Sequence, residues 1–306
     1  MKNIFENTAG SWVRYDSYDI RKLKDGHLYV MPSFMSNPSF YNPLKESNAL
    51  VTDAINLGRI CGKEETTEEE KQDLVLDFTL KYGLLGIMTG LVTSPDFTGK
   101  EKIYLPKNRY IKEEFMPFTD YVNLFFPYEQ EVNKPETDPS DEDTLITDSS
   151  SAVMAFITSG MSDGMQLVYK REYAERLDWM LKFFEDMFFT FTTCFLYYLD
   201  HNSLNDAQIR LMKKSMYSFG GQTPRYHIEL RDEPTLVWEF PSLMLGIQMM
   251  VSFMLTDKDS SIKVCKHCGK AFVAKRSNSE FCSPQCKNQY NVYKSRAKGK
   301  GNNDSN

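Results

Sequence analysis

The sequence predicts an α+β protein: a mainly helical N-terminal domain with short β-hairpins, joined to a small C-terminal module built on cysteines. Three observations carry that prediction. Helical spacing and capping signals recur through residues 1–260, the strand-like runs there are short and end at turn residues, and four of the six cysteines fall between positions 265 and 286. The division expected is therefore 1–260 for the helical domain, 261–300 for the cysteine module and 301–306 for a disordered tail.

The elements follow in order. Trp12 to Leu23 and His27 to Met31 read as a β-hairpin. Asp25-Gly26 is expected to close it, because this pair suits turns in which both residues take positive φ. Ser47 precedes the helical spacing Leu50, Val51, Ala54, Ile55 and Leu57 and is expected to cap it. Thr67-x-x-Glu70 forms a capping box for a second helix, which runs through Leu74, Val75 and Phe78 to Gly83. From Glu129 to Ser150 there are eight acids and two prolines with few apolar residues, the composition of a solvated loop.

Glu172 to Leu199 reads as a helix that is apolar on all sides and therefore surrounded by protein, with Phe183, Phe184, Phe188, Phe189, Phe191 and Phe195 along it. Arg225 to Arg231 and Thr235 to Phe240 read as strands, His227 and Glu229 forming the polar row against Ile228 and Leu230. Pro241 is expected in the first turn of a helix from Ser242 to Leu255.

Composition narrows the class. With 41% apolar and 25% charged residues, and with 21 Phe and 17 Tyr, the 306-residue chain has the core material of a globular protein. The opening MKNIFENTAGSW has neither the apolar run nor the cleavage site of a secretory signal. The longest apolar stretch, Met187 to Leu199, is too short to span a bilayer and is bracketed by Glu185, Asp186 and Asp200. A cytoplasmic protein with no membrane partner is expected, and isolated Cys61 and Cys194 read as core residues rather than a disulfide.

The cysteine pattern is Cys265-x2-Cys268, then Cys282-x3-Cys286. Four thiolates in two close pairs suit the tetrahedral shell of a structural zinc ion, so one Zn2+ is the expected cofactor. Gly269 allows the tight knuckle after the first pair. Ala271 to Val273 and Glu280-Phe281 are expected to form a hairpin around Ser277-Asn278-Ser279. Ser283-Pro284 then reads as cap and first residue of a helix, placing Cys282 before it and Cys286 in its first turn. Knuckle, hairpin and helix make a treble-clef arrangement.

Since four thiolates leave no open position on the metal, the site should hold structure and not perform catalysis. A deaminase reading through His227-Ile228-Glu229 and Cys265-x2-Cys268 fails on Val264, where proline is expected, and leaves Cys282 and Cys286 without a role. His267 reads as a solvent-facing loop residue.

Charge separates the tail from the rest. From Ile262 to Lys300 there are ten Lys/Arg and one acid, Glu280, leaving 26 bases against 41 acids elsewhere. Such asymmetry points to a polyanion or to an acidic protein partner. On the last helix Cys286, Tyr290, Tyr293 and Ala297 share the face toward the metal. Lys275, Arg276, Lys287, Asn288, Gln289, Asn291, Lys294, Arg296 and Lys298 are the candidate contacts to DNA or RNA.

From Phe240 onward the chain resembles the bacterial CGNR-type zinc-finger proteins, which carry an N-terminal ABATE-type domain. The resemblance lies in Phe240-Pro241-Ser242-Leu243 and in CKHCGKAFVAKRSNSEFCSPQCKNQYNVYKSR. Cys286 and Asn288 stand where that motif has cysteine and asparagine; Lys287 and Gln289 replace its glycine and arginine. The resemblance implies a role in transcription regulation. The function expected is a zinc-dependent nucleic-acid-binding regulator whose N-terminal domain senses a ligand or partner. A protein-interaction or assembly factor is the alternative, followed by an enzyme of unknown type.

Overall fold

The computed structural model of the chain describes residues 8–23, 25–88, 102–105, 110–117, 120, 124, 173–199, 201–217, 225–256, 262–274, 276 and 278–301. Among these it is an α+β structure with six α-helices and five small sheets. The acidic segment 129–150 and residues 302–306 lie outside the described residues.

Helix α1 (Ser47–Cys61) occupies the centre, burying Leu50, Val51, Ala54, Ile55, Leu57 and Cys61. Its N-cap is Glu46 rather than Ser47, which is the first helical residue and is itself buried. Helix α2 (Glu68–Tyr82) begins with the expected capping box: Glu70 N–H donates to Thr67 Oγ1 (3.2 Å) and Thr67 N–H to Glu70 Oε2 (2.9 Å).

Before these helices, β2 (Trp12–Tyr15) pairs with β5 (Pro38–Tyr41), while β3 (Tyr18–Lys22) pairs with β4 (Leu28–Pro32). The run from Trp12 to Leu23 thus divides between two sheets at Asp16-Ser17. Of Asp25-Gly26 only Gly26 takes positive φ (+85°), and Asp25 instead accepts from His27 N–H (2.9 Å). The small pair β6 (Lys102–Tyr104) and β7 (Phe115–Pro117) forms a sheet of its own and adds Met116 to the core.

The aromatic helix α3 (Leu177–Leu199) starts five residues later than its composition suggests. Glu175–Arg176 form β8, paired antiparallel with β4. The cause is tertiary. The fully buried Glu175 carboxylate accepts from the N–H groups of Leu85 (2.7 Å), Gly86 (3.3 Å) and Ile87 (2.6 Å), which no helix at that point could satisfy. Arg176 is held beside it by Glu113 (2.5 Å) and Asp178 and lies over the Trp179 ring.

Phe183, Phe184 and Phe191 are buried, but Phe189 and Leu196 are exposed, so α3 is enclosed on one side only. Where α1 crosses α3, a Cβ on Gly58 would lie 1.8 Å from Phe184 O, a backbone atom that cannot turn aside. Glycine is what allows the two helices to meet there.

After α4 (Asp206–Tyr217), β9 (Arg225–Leu230) and β10 (Pro234–Glu239) form an antiparallel hairpin, and β1 (Thr8–Ala9) joins β10 in parallel. Contrary to the alternation argument, Ile228 and Leu230 are exposed along with the polar row, so neither face of β9 is covered. Helix α5 (Leu243–Thr256) is buried from Leu243 to Gln248 and at Met250, Val251 and Met254, and packs on α1. Ser242 caps it by accepting from Leu245 N–H (3.2 Å), so Pro241 sits before the cap rather than inside the first turn.

Candidate metal centre

Beyond α5, β11 (Ile262–Val264) pairs antiparallel with β12 (Ala271–Val273), and α6 spans Pro284–Gly301. The hairpin partner of β12 is therefore β11, not Glu280-Phe281 as the spacing suggested. The strand ends at Val273, and Glu280 is used differently: its carbonyl accepts from Lys266 N–H (3.0 Å) and its carboxylate meets Lys266 Nζ (2.6 Å). This double link fastens the segment before Cys282 to the loop between Cys265 and Cys268.

That loop is a tight turn. Gly269 N–H donates to Cys265 O (2.9 Å) and Cys265 N–H to Lys270 O (2.9 Å), with Gly269 at φ +69°. A side chain at that φ is strained, as the sequence anticipated. At the other pair, Ser283 Oγ accepts from Cys286 N–H (3.2 Å), making Ser283 the cap of α6 and Pro284 its first residue. Cys282 stands just outside the helix and Cys286 inside its first turn, both turned to the same point.

The four ligand atoms of Cys265, Cys268, Cys282 and Cys286 lie within 4.8 Å of one another. Cys268 Sγ is 3.6 Å from Cys282 Sγ, which is 3.5 Å from Cys286 Sγ. A disulfide would need about 2.05 Å. Four thiolates around one ion at about 2.3 Å have a tetrahedral edge of about 3.8 Å, which these separations approach. The cluster could hold a metal ion, and no other such group of three or more His, Cys, Asp or Glu occurs among the described residues.

The electrostatics agree with a cation there. Burial raises the Cys265 thiol, but the N–H groups of Cys268, Cys282 and His267 outweigh it and bring it down to about 6. Burial, then the thiols of Cys286, Cys268 and Cys265, push Cys282 up to about 12. Four sulfurs this close cannot all ionise unless a positive charge stands among them. Cys61 and Cys194 behave differently. Burial pushes the Cys61 thiol up to about 11 and raises Cys194, which lies 3.5 Å from Met216 Sδ, as expected of inert core thiols.

Aromatic rings of α6 pack on residues next to the cysteines. Tyr290 packs on Phe281 (5.2 Å between centroids) and Tyr293 stacks on His267 (5.8 Å, 16°). His267 is thus a half-buried stacking partner rather than a solvent-facing residue. His227 lies elsewhere, on the β9–β10 hairpin, 3.1 Å from Glu239.

One side chain of the body hydrogen-bonds the module directly. Asn56 of α1 donates to Ala271 O (3.0 Å) and accepts from Ala271 N–H (2.8 Å), completing both backbone groups of a β12 residue. Ile262 and Ala271 join the main core. Nothing in the local pattern around Asn56 announces this role, since its partner lies 215 residues away.

The remaining candidates fall along α6. Lys287, Asn288, Gln289, Asn291, Lys294 and Arg296 are all exposed, as is Arg276. Lys275 and the side chain of Lys298 lie outside the described residues. No described helix is long and apolar enough to cross a membrane. No family model, curated protein or solved structure matches this chain.

Proposed function

We propose that the four cysteines hold one structural zinc ion in a treble-clef module, and that the helix behind it contacts nucleic acid as part of a cytoplasmic regulator. The observation that carries this reading is the setting of α6. It leaves the cysteine cluster with Lys287, Asn288, Gln289, Asn291, Lys294 and Arg296 all open to solvent. A capped helix anchored at its first turn and basic along its length is a form suited to a groove. Zinc fits the donor set because four thiolates in tetrahedral array favour it, and a filled shell leaves structure as the metal's role.

Two measurements test the reading. Metal analysis of the purified chain is expected to give about one zinc per chain. Affinity for duplex DNA measured against salt is expected to fall steeply, and neutralising Lys287, Lys294 and Lys298 should flatten the log–log slope by about 0.9 per lost phosphate contact. Asn288→Ala and Gln289→Ala should change sequence preference more than salt dependence. A zinc-loaded chain without affinity for DNA or RNA at low salt would reject nucleic-acid binding and leave docking on an acidic protein as the role of the helix.

A further inference from the structure

The β9 strand leaves one edge of its sheet open. It pairs with β10 on one side, and no strand lies on its other side among the described residues. All six of its residues are exposed, and the apolar row stands out: Tyr226 is 65%, Ile228 69% and Leu230 84% exposed. Across the hairpin that row continues through Trp238, Leu236 and Pro234, with the Tyr226 and Trp238 rings 5.6 Å apart. Open edges are usually blunted by charged side chains, proline or a bulge; β9 has neither proline nor bulge, and its charges, Arg225 and Glu229, lie on the face opposite the apolar row.

One residue sets the hydrogen-bond phase of the edge. Pro234 stands opposite Leu230 and has no N–H, so theirs is a non-hydrogen-bonded pair. Alternation then turns the backbone groups of Arg225, His227 and Glu229 toward β10. Those of Tyr226, Ile228 and Leu230 point outward.

We propose that β9 is a homodimer interface in which two copies pair their edges antiparallel about a two-fold axis at Ile228. In that register Tyr226 faces the partner's Leu230, and Ile228 faces the partner's Ile228. On the other side of the sheet His227 faces the partner's Glu229. The outward backbone groups are all satisfied and the three apolar residues are all covered, while His227 and Glu229, held in their own chain by Glu239 (3.1 Å) and Arg231 (2.6 Å), bring a histidine beside an acid across the seam. Any strand could supply the backbone bonds. A second copy is favoured because one two-fold axis makes both the apolar and the polar rows complementary to themselves. Arg225 meets the partner's Arg231 only at the ends, where Arg231 is already held by Glu229 (2.6 Å). A register centred on His227 would leave Leu230, the most exposed of the row, beyond the paired strand.

Sedimentation of the full chain at micromolar concentration tests this. The parent is expected at twice the chain mass, and Ile228→Lys at the chain mass with an unchanged far-ultraviolet spectrum, because its side chain points to solvent in the monomer. Register is read by cysteine pairing on non-reducing gels, judged against the parent. A mixture of His227→Cys and Glu229→Cys should cross-link on oxidation, since directly opposed Cβ atoms lie about 4.5–5.5 Å apart. Neither variant alone should do so, because its equivalent positions are diagonal at about 7–8 Å. A monomeric parent would overturn the proposal and leave the edge to a different protein. A dimer that survives Ile228→Lys, or cross-linking by His227→Cys alone, would overturn it as well.

Discussion

Glu175 carries a buried carboxylate into the centre of the body, surrounded by donors. Burial pushes it up to about 7, against the N–H groups of Ile87 and Leu85 and the Tyr173 hydroxyl, which favour its charge. An unfolded glutamate titrates near ~4.3. Between about 4.5 and 7 the folded chain therefore holds a proton that the unfolded chain has lost, and stability from this group falls as pH rises through that window. Below it the contribution is complete; above it the contribution is gone. Glu175→Gln should abolish this slope and also set a carboxamide N–H against backbone donors, at a cost of about 1–3 kcal/mol. Thermal midpoints from pH 4.5 to pH 8 should show the variant less stable, with the gap to the parent narrowing as pH rises. A gap independent of pH would mean that Glu175 titrates normally.

Among the helices and strands, those with local signals were legible and those made by distant contacts were not. The α2 capping box, the β9 and β10 runs and the Ser283-Pro284 start of α6 each depend on residues a few positions apart, so the sequence displays them. The two-residue strand β8 depends on Tyr29 and Val30 of β4, and its buried Glu175 on the N–H groups of Leu85 and Ile87, all distant in the chain. The parallel pairing of β1 with β10 joins Thr8 to Leu236. Neither leaves a periodic trace. The four-cysteine cluster was readable because a shell of four thiolates imposes its own spacing on a chain. Its attachment through Asn56 was not, since one asparagine on a helix has many uses. The crossing of α1 and α3 is a further case, and it yields a prediction. Gly58→Ala places a methyl group 1.8 Å from Phe184 O, so a helix must move. Overpacking typically costs about 1–3 kcal/mol, and a rigid backbone neighbour puts this site at the upper end. Urea unfolding of the variant should show a lower midpoint; an unchanged midpoint would show that the two helices slide apart freely.

The assembled chain links its cysteine cluster to its core through β12, and the relative magnitudes say which of them holds the strand. Burying an isoleucine contributes about 1.5–3 kcal/mol, and of β11 and β12 only Ile262 and Ala271 join the main core as buried residues. A structural zinc site contributes about 10–16 kcal/mol of apparent binding energy, which is also folding energy. With the proposed zinc in the cluster, the metal should therefore decide whether β12 stays against α1, and Asn56 should serve only while it does. Asn56→Ala in the metal-loaded chain leaves Ala271 N–H and C=O without their partner and should cost about 1–3 kcal/mol. Cys282→Ser breaks the shell and should release β12, so that adding Asn56→Ala to it costs little more. The two substitutions should thus be non-additive, with a coupling of about 0.5–3 kcal/mol. The three tryptophans, Trp12, Trp179 and Trp238, all precede the cysteine module, so their fluorescence reports the body alone. Urea midpoints by that signal should fall for each single variant, and the double variant should match Cys282→Ser. Strict additivity would show instead that β12 keeps its place on α1 when the metal is gone, with the core and not the ion fastening the C-terminal strands.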